Sequence, residues 1–264
     1  MVESYVSDKE PNGTWRKILD ASKLNKEIKN MHIKMHCLED VQYLANQQDY
    51  SASPDLKSAF HHFTVSPNSM QYLAFNFNNN NYAYKATPFE IKYNPIIFAV
   101  AIESLFRQIR IHSQVIILNY CDDIFLIHKS KQMFKIQIKQ IMKTLEQFEW
   151  IISTKKCEIE PKQIITFIGW ILNLMEISTS MTKNRKLKMK QALKDWCNAI
   201  YQNKCGKIRQ LAALIGRSNF LIPQIKEAFL YLVELDKAKT QALKSKLCDE
   251  TMIANKRAIR EQKC

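Results

Sequence analysis

The sequence predicts an α+β protein in which mixed strands and helices are followed by a helical part. Two apolar runs, 115–118 and 124–127, flank the tetrapeptide Tyr120-Cys121-Asp122-Asp123 and are rich in β-branched and aromatic residues, which indicates two strands. Apolar residues at helical spacing fill 133–148, which predicts an amphipathic helix. After about residue 175 the remaining patterns are helical, so the composition predicts a boundary near residue 178.

The other elements follow in chain order. Residues 1–15 are polar and predict a loop, apolar spacing predicts a helix over 38–48, and 96–109 is helical and apolar. Aromatic residues on either side of four asparagines predict a strand pair over 69–86. Beyond the Asp-pair hairpin and its helix, the patterns predict strands near 150–153 and 164–172 and helices over 183–201, 208–220 and 225–245.

Composition excludes several classes of protein. The 264 residues are 46 % apolar and 24 % charged, as in an ordinary globular protein. No apolar run approaches the roughly 18 residues that span a membrane, and the start lacks the pattern of a secretory signal. Seven cysteines without a Cys-x-x-Cys pair argue against a disulfide framework or a zinc ribbon. We therefore expect an intracellular protein with reduced thiols, in the cytoplasm or the nucleus.

Positive charge is concentrated in one segment. The net charge is +14, and the segment from Lys183 to Arg217 holds ten Lys or Arg residues and one acidic residue, Asp195. Such a density indicates contact with phosphates and binding that weakens with salt. A solvated helix face is the alternative for a run of this kind.

The adjacent carboxylates of Asp122 and Asp123 are the most informative residues. They lie in a very apolar stretch with no Lys or Arg within five positions on either side, so burying them is costly without a positive partner. Hard divalent cations such as Mg²⁺ prefer carboxylate oxygens and are the natural partner. A surface hairpin with an Asp-rich turn is the alternative at this point.

A second acidic site lies upstream at Asp55, in the segment Asp55-Leu56-Lys57-Ser58-Ala59-Phe60. With Tyr120 to Asp123 it resembles, in order and separation, the catalytic motifs of reverse transcriptases. The resemblance covers about residues 14–245. It implies a right-hand polymerase, with fingers and palm in residues 1–177 and a helical thumb or connection region in 178–264 without an RNase H domain. The segment 208–216 resembles the thumb helix of DIRS-like tyrosine-recombinase retrotransposons and their gypsy-like relatives.

The resemblance also implies roles for individual residues. Three carboxylates would hold two Mg²⁺ ions, with Mn²⁺ as a substitute, and Lys156 in the fourth motif would protonate the departing pyrophosphate. The incoming deoxynucleotide would meet four residues, and a hairpin would grip the primer end. The implied metal ligands are Asp55, Asp122 and Asp123; the substrate-binding residues are Arg16, Phe60, Lys9 and Phe89; the primer-grip residues are Phe167, Gly169 and Trp170. On pattern alone, Phe60 is a core residue and Arg16 a surface arginine.

Two positions depart from the family pattern. Glu90 follows Pro88-Phe89 where the family has Gly, and Glu149 stands where a Gly commonly precedes the fourth motif. Bulk and negative charge near a triphosphate oppose binding, so these residues predict impaired activity. Three functions stay open: an RNA-directed DNA polymerase core acting on a primed RNA or DNA template with deoxynucleotides, a partly decayed nucleic-acid-binding remnant without catalysis, and a metal-dependent nuclease. Neither a membrane nor a particular oligomeric state is implied.

Overall fold

The computed structural model describes residues 2–3, 5–9, 15–32, 34–153, 156–201, 206–219, 228–245 and 251–252. Two compact units are present. The first comprises residues 1–168 and 172–178, and the second comprises 169–171 and 179–264. No helix in the described ranges is long and apolar enough to cross a membrane.

Helices and strands alternate in the first unit and helices predominate in the second. The strands are β1 Val2–Glu3, β2 Tyr5–Lys9, β3 Trp15–Leu19, β4 Tyr50–Ser53, β5 Ala74–Phe77, β6 Asn80–Ala83, β7 Ile116–Tyr120, β8 Asp123–His128, β9 Glu158–Lys162, β10 Ile164–Phe167, β11 Trp170–Asn173, β12 Ser178–Met181, β13 Gly206–Lys207 and β14 Thr251–Met252. The helices are α1 Ser22–Glu27, α2 Leu38–Leu44, α3 Pro67–Met70, α4 Asn94–His112, α5 Lys131–Gln147, α6 Lys183–Tyr201, α7 Ile208–Ser218 and α8 Ala228–Ser245.

The central sheet has the strand order β7-β8-β4-β9, and each neighbouring pair is antiparallel. Strand β8 is buried from Ile124 to His128, as expected when both faces of a strand are covered. On one face Ile124 and Leu126 join the main core, and on the other Phe125 packs against Phe167 with ring centroids 4.6 Å apart. Helices α4 and α5 supply much of the remaining main core.

The amino-terminal segment differs from the predicted loop. Strands β2 and β3 pair antiparallel, with Lys9 opposite Trp15 and Asp8 opposite Arg16, and β1 pairs with β5. The loop prediction was wrong for residues 2–3, 5–9 and 15, because polar strands carry little apolar periodicity; residues 1, 4 and 10–14 lie outside the described residues. The Asn-rich turn is confirmed, since Asn78 and Asn79 both have positive φ between β5 and β6, as a type I′ hairpin requires.

The second unit contains the helices α6, α7 and α8. Their apolar faces meet in a separate core that includes Trp196, Leu211, Leu214 and Leu232. The predicted helix over 183–201 is confirmed at both ends. Helices α7 and α8 lie within the predicted helices over 208–220 and 225–245, of which residues 220 and 225–227 lie outside the described residues.

One strand prediction needs correction, and two strands were not predicted. The predicted strand at 150–153 is reduced to one bridge between Leu56 and Ile152. Strand β9 was not predicted because its mixed polar sequence and Pro161 do not resemble a buried strand, although it forms a sheet edge where proline is tolerated. Strand β12 occupies the Ser-Thr-Ser stretch from which the boundary near residue 178 was predicted.

Candidate active site

The Asp-pair hairpin is formed by β7 and β8. Tyr120 and Asp123 are directly opposite each other, so Cys121 and Asp122 make a two-residue turn. Cys121 has φ +51°, a left-handed conformation that is uncommon outside glycine. The turn therefore presents two consecutive carboxylates at the end of two buried strands.

Asp55 reaches the same end of the sheet from β4. Its backbone forms an antiparallel bridge with that of Asp123, continuing the β4–β8 pairing beyond the strands. Near the end of β4, Ser53 Oγ donates a hydrogen bond of 2.9 Å to the carbonyl of Ile124, which helps to fix the register of the two strands. The sheet thus places Asp55 beside Asp123, although 67 positions separate them in sequence.

Three carboxylates, those of Asp55, Asp122 and Asp123, crowd negative charge at the site. Partial burial, then the charges of Asp122 and Asp55, raise the pKa of Asp123, and Lys156 lowers it in part. Burial, then the charges of Asp122 and Asp123, raise the pKa of the Cys121 thiol to about 11. A cation bound here would relieve the repulsion that opposes ionisation of Asp123.

The loop that carries Lys156 is anchored to Asp55. Ser153 N–H donates to the Asp55 carbonyl at 2.8 Å, and the Asp55 N–H donates to Cys157 Sγ at 3.1 Å. The Lys156 N–H bonds the Ser153 carbonyl at 3.3 Å, and its side chain is exposed. Lys156 therefore lies close enough to Asp123 to influence its pKa. The neighbouring Lys155 lies outside the described residues.

The donor chemistry of the site suits a hard divalent cation. Within the described ranges, no three His, Cys, Asp or Glu side chains converge closely enough to enclose a metal ion by themselves. Magnesium commonly takes one or two carboxylates and completes its shell with water and substrate phosphates. Asp55 and Asp122 lie near enough for their charges to raise the pKa of Asp123, and neighbouring carboxylates of this kind fit that mode of binding.

Phe60 and Phe89 form an aromatic pair near the site. Phe60 lies in the 3₁₀ turn Ala59–His62 and is only 4 % exposed, as a member of the main core. Phe89 covers it edge-on, with ring centroids 5.1 Å apart, and is 48 % exposed. The Thr87 hydroxyl donates to the Phe60 carbonyl at 2.5 Å, which ties the two segments together. The exposed ring of the pair is therefore that of Phe89.

The two glutamates that stand where the sequence resemblance predicts glycine, Glu90 and Glu149, have different backbone conformations. Glu90 has no left-handed φ, and its carbonyl accepts a hydrogen bond of 2.8 Å from Asn25. Glu149 has φ +62° and follows helix α5. Its N–H bonds the Glu146 carbonyl and the Trp150 N–H bonds the Leu145 carbonyl, which is the Schellman pattern that usually places glycine at this position.

Lys9 and Arg16 lie in the β2–β3 ribbon, but their side chains lie outside the described residues. Phe167 is buried in the first unit, and Trp170 is buried in the second. Ile168 and Gly169 both have positive φ and form a type I′ turn between β10 and β11.

Several residues around the site were not predicted. His36 Nδ1 lies 3.2 Å from the Asn119 carbonyl, and the Cys121 thiol lies 3.5 Å from Met35 Sδ. These contacts bring the segment before α2 against the Asp-pair hairpin. Neither they nor the Cys157 contact has a local sequence signal, because each joins residues more than 80 positions apart.

The fold and the site together define a palm-type nucleic-acid polymerase fold. The family model described as reverse transcriptase (RNA-dependent DNA polymerase) matches residues 7–172. The chain belongs to the reverse transcriptase family. The matched residues include Asp55 and the Asp-pair hairpin.

Solved structures share the fold. The chain superposes on a foamy viral protease-reverse transcriptase solved with double-stranded DNA, with a TM-score of 0.68 and 20 % identity, over 99 % of this chain and 43 % of that one. Another structure of the foamy viral protein, in complex with an RNA/DNA hybrid, gives a TM-score of 0.64 at 18 % identity, over 99 % of this chain and 33 % of that one.

Curated relatives are polyproteins of retroelements. The Pro-Pol polyprotein of Simian foamy virus type 1 is 24 % identical over 82 % of this chain and 18 % of its own length. The putative enzymatic polyprotein of Cassava vein mosaic virus is 30 % identical over 60 % of this chain and 23 % of its own. The transposon Tf2-3 polyprotein of Schizosaccharomyces pombe is 28 % identical over 63 % of this chain and 12 % of its own length. The chain thus spans less than a quarter of each, and corresponds to their reverse transcriptase domain.

Proposed function

We propose that this chain is an RNA-directed DNA polymerase core that adds deoxynucleotides to a primer 3′-end. The observation that carries the proposal is the bridge between Asp55 and Asp123, which brings the carboxylates of two distant motifs to one end of the palm sheet. The raised pKa of Asp123, caused by partial burial and by the charges of Asp122 and Asp55, supports the same assignment.

Asp55, Asp122 and Asp123 would hold the divalent ions on which reverse transcriptases depend. When bound, two Mg²⁺ ions, or Mn²⁺ in their place, supply the positive charge that activates the attacking hydroxyl and stabilises the leaving pyrophosphate. The protein contributes position: Ser53 fixes the register of Asp55, and the short turn at Cys121 holds Asp122 and Asp123 together. Such positioning converts a bimolecular reaction into an effectively unimolecular one.

Lys156 would act as the general acid. It lies on the loop that Asp55 anchors through Ser153 and Cys157, and its charge already acts on Asp123. A proton donor must lie near the leaving oxygen, and an exposed lysine beside the carboxylates meets that requirement better than a residue elsewhere on the palm.

Phe89 and Phe60 would form one wall of the nucleotide site. Because Phe60 is almost fully buried and Phe89 is exposed, Phe89 would contact the sugar directly and Phe60 would support it from below. Phe89 is held in place because the Asn94 amide donates a hydrogen bond to the Pro88 carbonyl. Arg16 and Lys9 would meet the triphosphate, as the family resemblance implies.

Residues 1–177 would serve as fingers and palm and 178–264 as thumb or connection. Phe167, Gly169 and Trp170 would grip the primer end on the β10–β11 hairpin, and the positive charge of α6 would contact backbone phosphates. The likeness of segment 208–216, which forms most of α7, to DIRS-like and gypsy-like elements supports assignment to that group. Because foamy viral relatives were solved with double-stranded DNA and with an RNA/DNA hybrid, a primed RNA or DNA strand is the proposed partner.

A second candidate function is a nucleic-acid-binding remnant that does not turn over. Glu90 favours it, because this partly buried acid stands beside Phe89 at the proposed triphosphate site. The deciding experiment is primer extension by the purified chain on an RNA template with a DNA primer, in Mg²⁺ and then Mn²⁺. Extension that Asp122→Asn with Asp123→Asn abolishes supports the polymerase. Salt-sensitive binding without extension supports the remnant, and Glu90→Gly then tests whether Glu90 is the lesion.

A further inference from the structure

An aromatic pocket with an acidic rim lies in the first unit and has no role in the proposed reaction. It has a volume of about 280 Å³ and lies between helix α4 and the segment that follows α5. Its lining includes His62, Phe63, Gln108, Phe148, Glu149 and Trp150. Pockets that bury drug-sized ligands begin at roughly 300 Å³, so this one suits a single large side chain better than a nucleotide.

The aromatic wall is well ordered by packing. Trp150 meets His62 with ring centroids 4.7 Å apart and Phe63 at 5.9 Å. Phe148 also lines the pocket and is 55 % exposed, so its ring is accessible to a ligand. Ring faces attract cations, most strongly when the cation is shielded from water.

The charge of the pocket lining favours a cationic ligand. Glu149 contributes the formal negative charge of the lining, and none of the described lining residues is a lysine or arginine, in a chain whose net charge is +14. A phosphate-bearing ligand would be repelled by Glu149, whereas a cation would be attracted by the carboxylate and the rings together.

Glu149 is also in an unfavourable backbone position. Its φ of +62° is the left-handed conformation for which the end of a helix usually uses glycine. A carboxylate beyond the last turn also opposes the negative end of the helix dipole. Strained residues of this kind are concentrated at ligand sites, and here the strained residue carries the charge that the pocket needs.

We propose that this pocket binds an arginine side chain of a peptide, with the guanidinium against the Glu149 carboxylate and its plane on the aromatic wall. Arginine fits better than lysine because its planar group stacks on rings and bonds a carboxylate with two parallel hydrogen bonds. The amide of Gln108 offers a further acceptor on the α4 side.

The test measures binding rather than catalysis, so its result is independent of the polymerase proposal. The full chain contains four tryptophans, and each ¹⁵N-labelled indole group gives one NMR signal. The signal that is lost in Trp150→Phe is that of Trp150. The probe is N-acetyl-arginine amide, and N-acetyl-citrulline amide serves as the uncharged isostere. The arginine amide is expected to shift the Trp150 signal saturably with a dissociation constant on the order of 1 mM, as ligand efficiency suggests.

Matched variants test the carboxylate. Glu149→Gln is expected to weaken binding about tenfold, the worth of a charge-assisted contact. Glu146→Gln, one turn earlier and outside the pocket lining, is expected to leave binding unchanged. An equal shift by citrulline amide in the wild-type chain would overturn the proposal even if the variants failed to fold. Tighter binding of N-acetyl-lysine amide, or unchanged binding in Glu149→Gln, would also overturn it.

Discussion

Replacing Glu149 by glycine is expected to stabilise the protein, whereas the same change at Glu90 is expected to destabilise it. Glu149 is in the left-handed region at φ +62° in the Schellman end of α5, where a side chain costs about 1 to 2 kcal/mol. Glycine avoids that cost but loses more conformational entropy on folding, about 0.5 to 1 kcal/mol. The expected net gain for Glu149→Gly is therefore about 1 kcal/mol.

At Glu90 only the entropic cost of glycine applies, because its φ is not left-handed. Glu90→Gly is therefore expected to lower the free energy of unfolding by about 0.5 to 1 kcal/mol. Thermal unfolding followed by circular dichroism would measure both changes, with about 3 °C expected for each kcal/mol in a unit of this size. Glu149→Ala is the control, because it removes the carboxylate and keeps the left-handed strain. Equal destabilisation by both glycine variants would refute the reasoning from backbone conformation.

Three further predictions concern the hairpins and the carboxylates. Gly169→Ala is expected to destabilise the protein by about 1 to 2 kcal/mol through its φ of +75°. Its new Cβ would also clash with the Arg185 guanidinium, so adding Arg185→Ala should restore only part of the loss in a denaturant titration. Because the pKa of Asp123 is raised in the folded state, folding favours its protonated form. Asp123→Asn should therefore stabilise the protein increasingly as pH rises from the ordinary pKa of 3.8 through the raised pKa of the folded state. A difference in unfolding free energy between variant and wild type that does not change with pH would contradict this prediction. The Cys121 thiol, with a pKa of about 11, should react with iodoacetamide far more slowly at pH 8 than an ordinary thiol, as peptide mass spectrometry would show.

The sequence predicted the elements whose local pattern is strong. The Asp-pair hairpin and helix α6 have the expected positions because continuous β-branched runs and regular apolar spacing are local signals. The ribbon β2–β3 and the edge strand β9 were missed because their pairing partners, rather than their own composition, make them strands.

The candidate site shows the same limit. Asp55 and the Asp pair were found because each motif is contiguous, but their closeness depends on the β4–β8 register. The support from Cys157 and Ser53 was not predicted, since hydrogen bonds between distant segments leave no periodic signal. At Phe60 the pattern alone indicated a core residue, and its 4 % exposure confirms that part of the prediction. Its role toward a nucleotide stays a prediction.

The glycine departures show how the structure separates two similar substitutions. In sequence, Glu90 and Glu149 are alike, since both stand where the resemblance predicts glycine. The structure shows that only Glu149 occupies a backbone position that favours glycine. An effect of Glu90 would therefore act through its charge and bulk, and an effect of Glu149 through the end of helix α5.

The most direct test of the polymerase account is the single-turnover rate of one deoxynucleotide addition to a primed RNA template. The rate is compared among the wild-type chain, Asp55→Asn, Asp123→Asn and the control Asp195→Asn, an exposed carboxylate on α6. We expect the rate to fall at least about a thousandfold in Asp55→Asn and in Asp123→Asn, as when a main electrostatic contributor to catalysis is removed. The rate of Asp195→Asn is expected to stay near that of the wild type. Addition that persists in Asp55→Asn or Asp123→Asn would contradict the carboxylate site and the polymerase mechanism built on it.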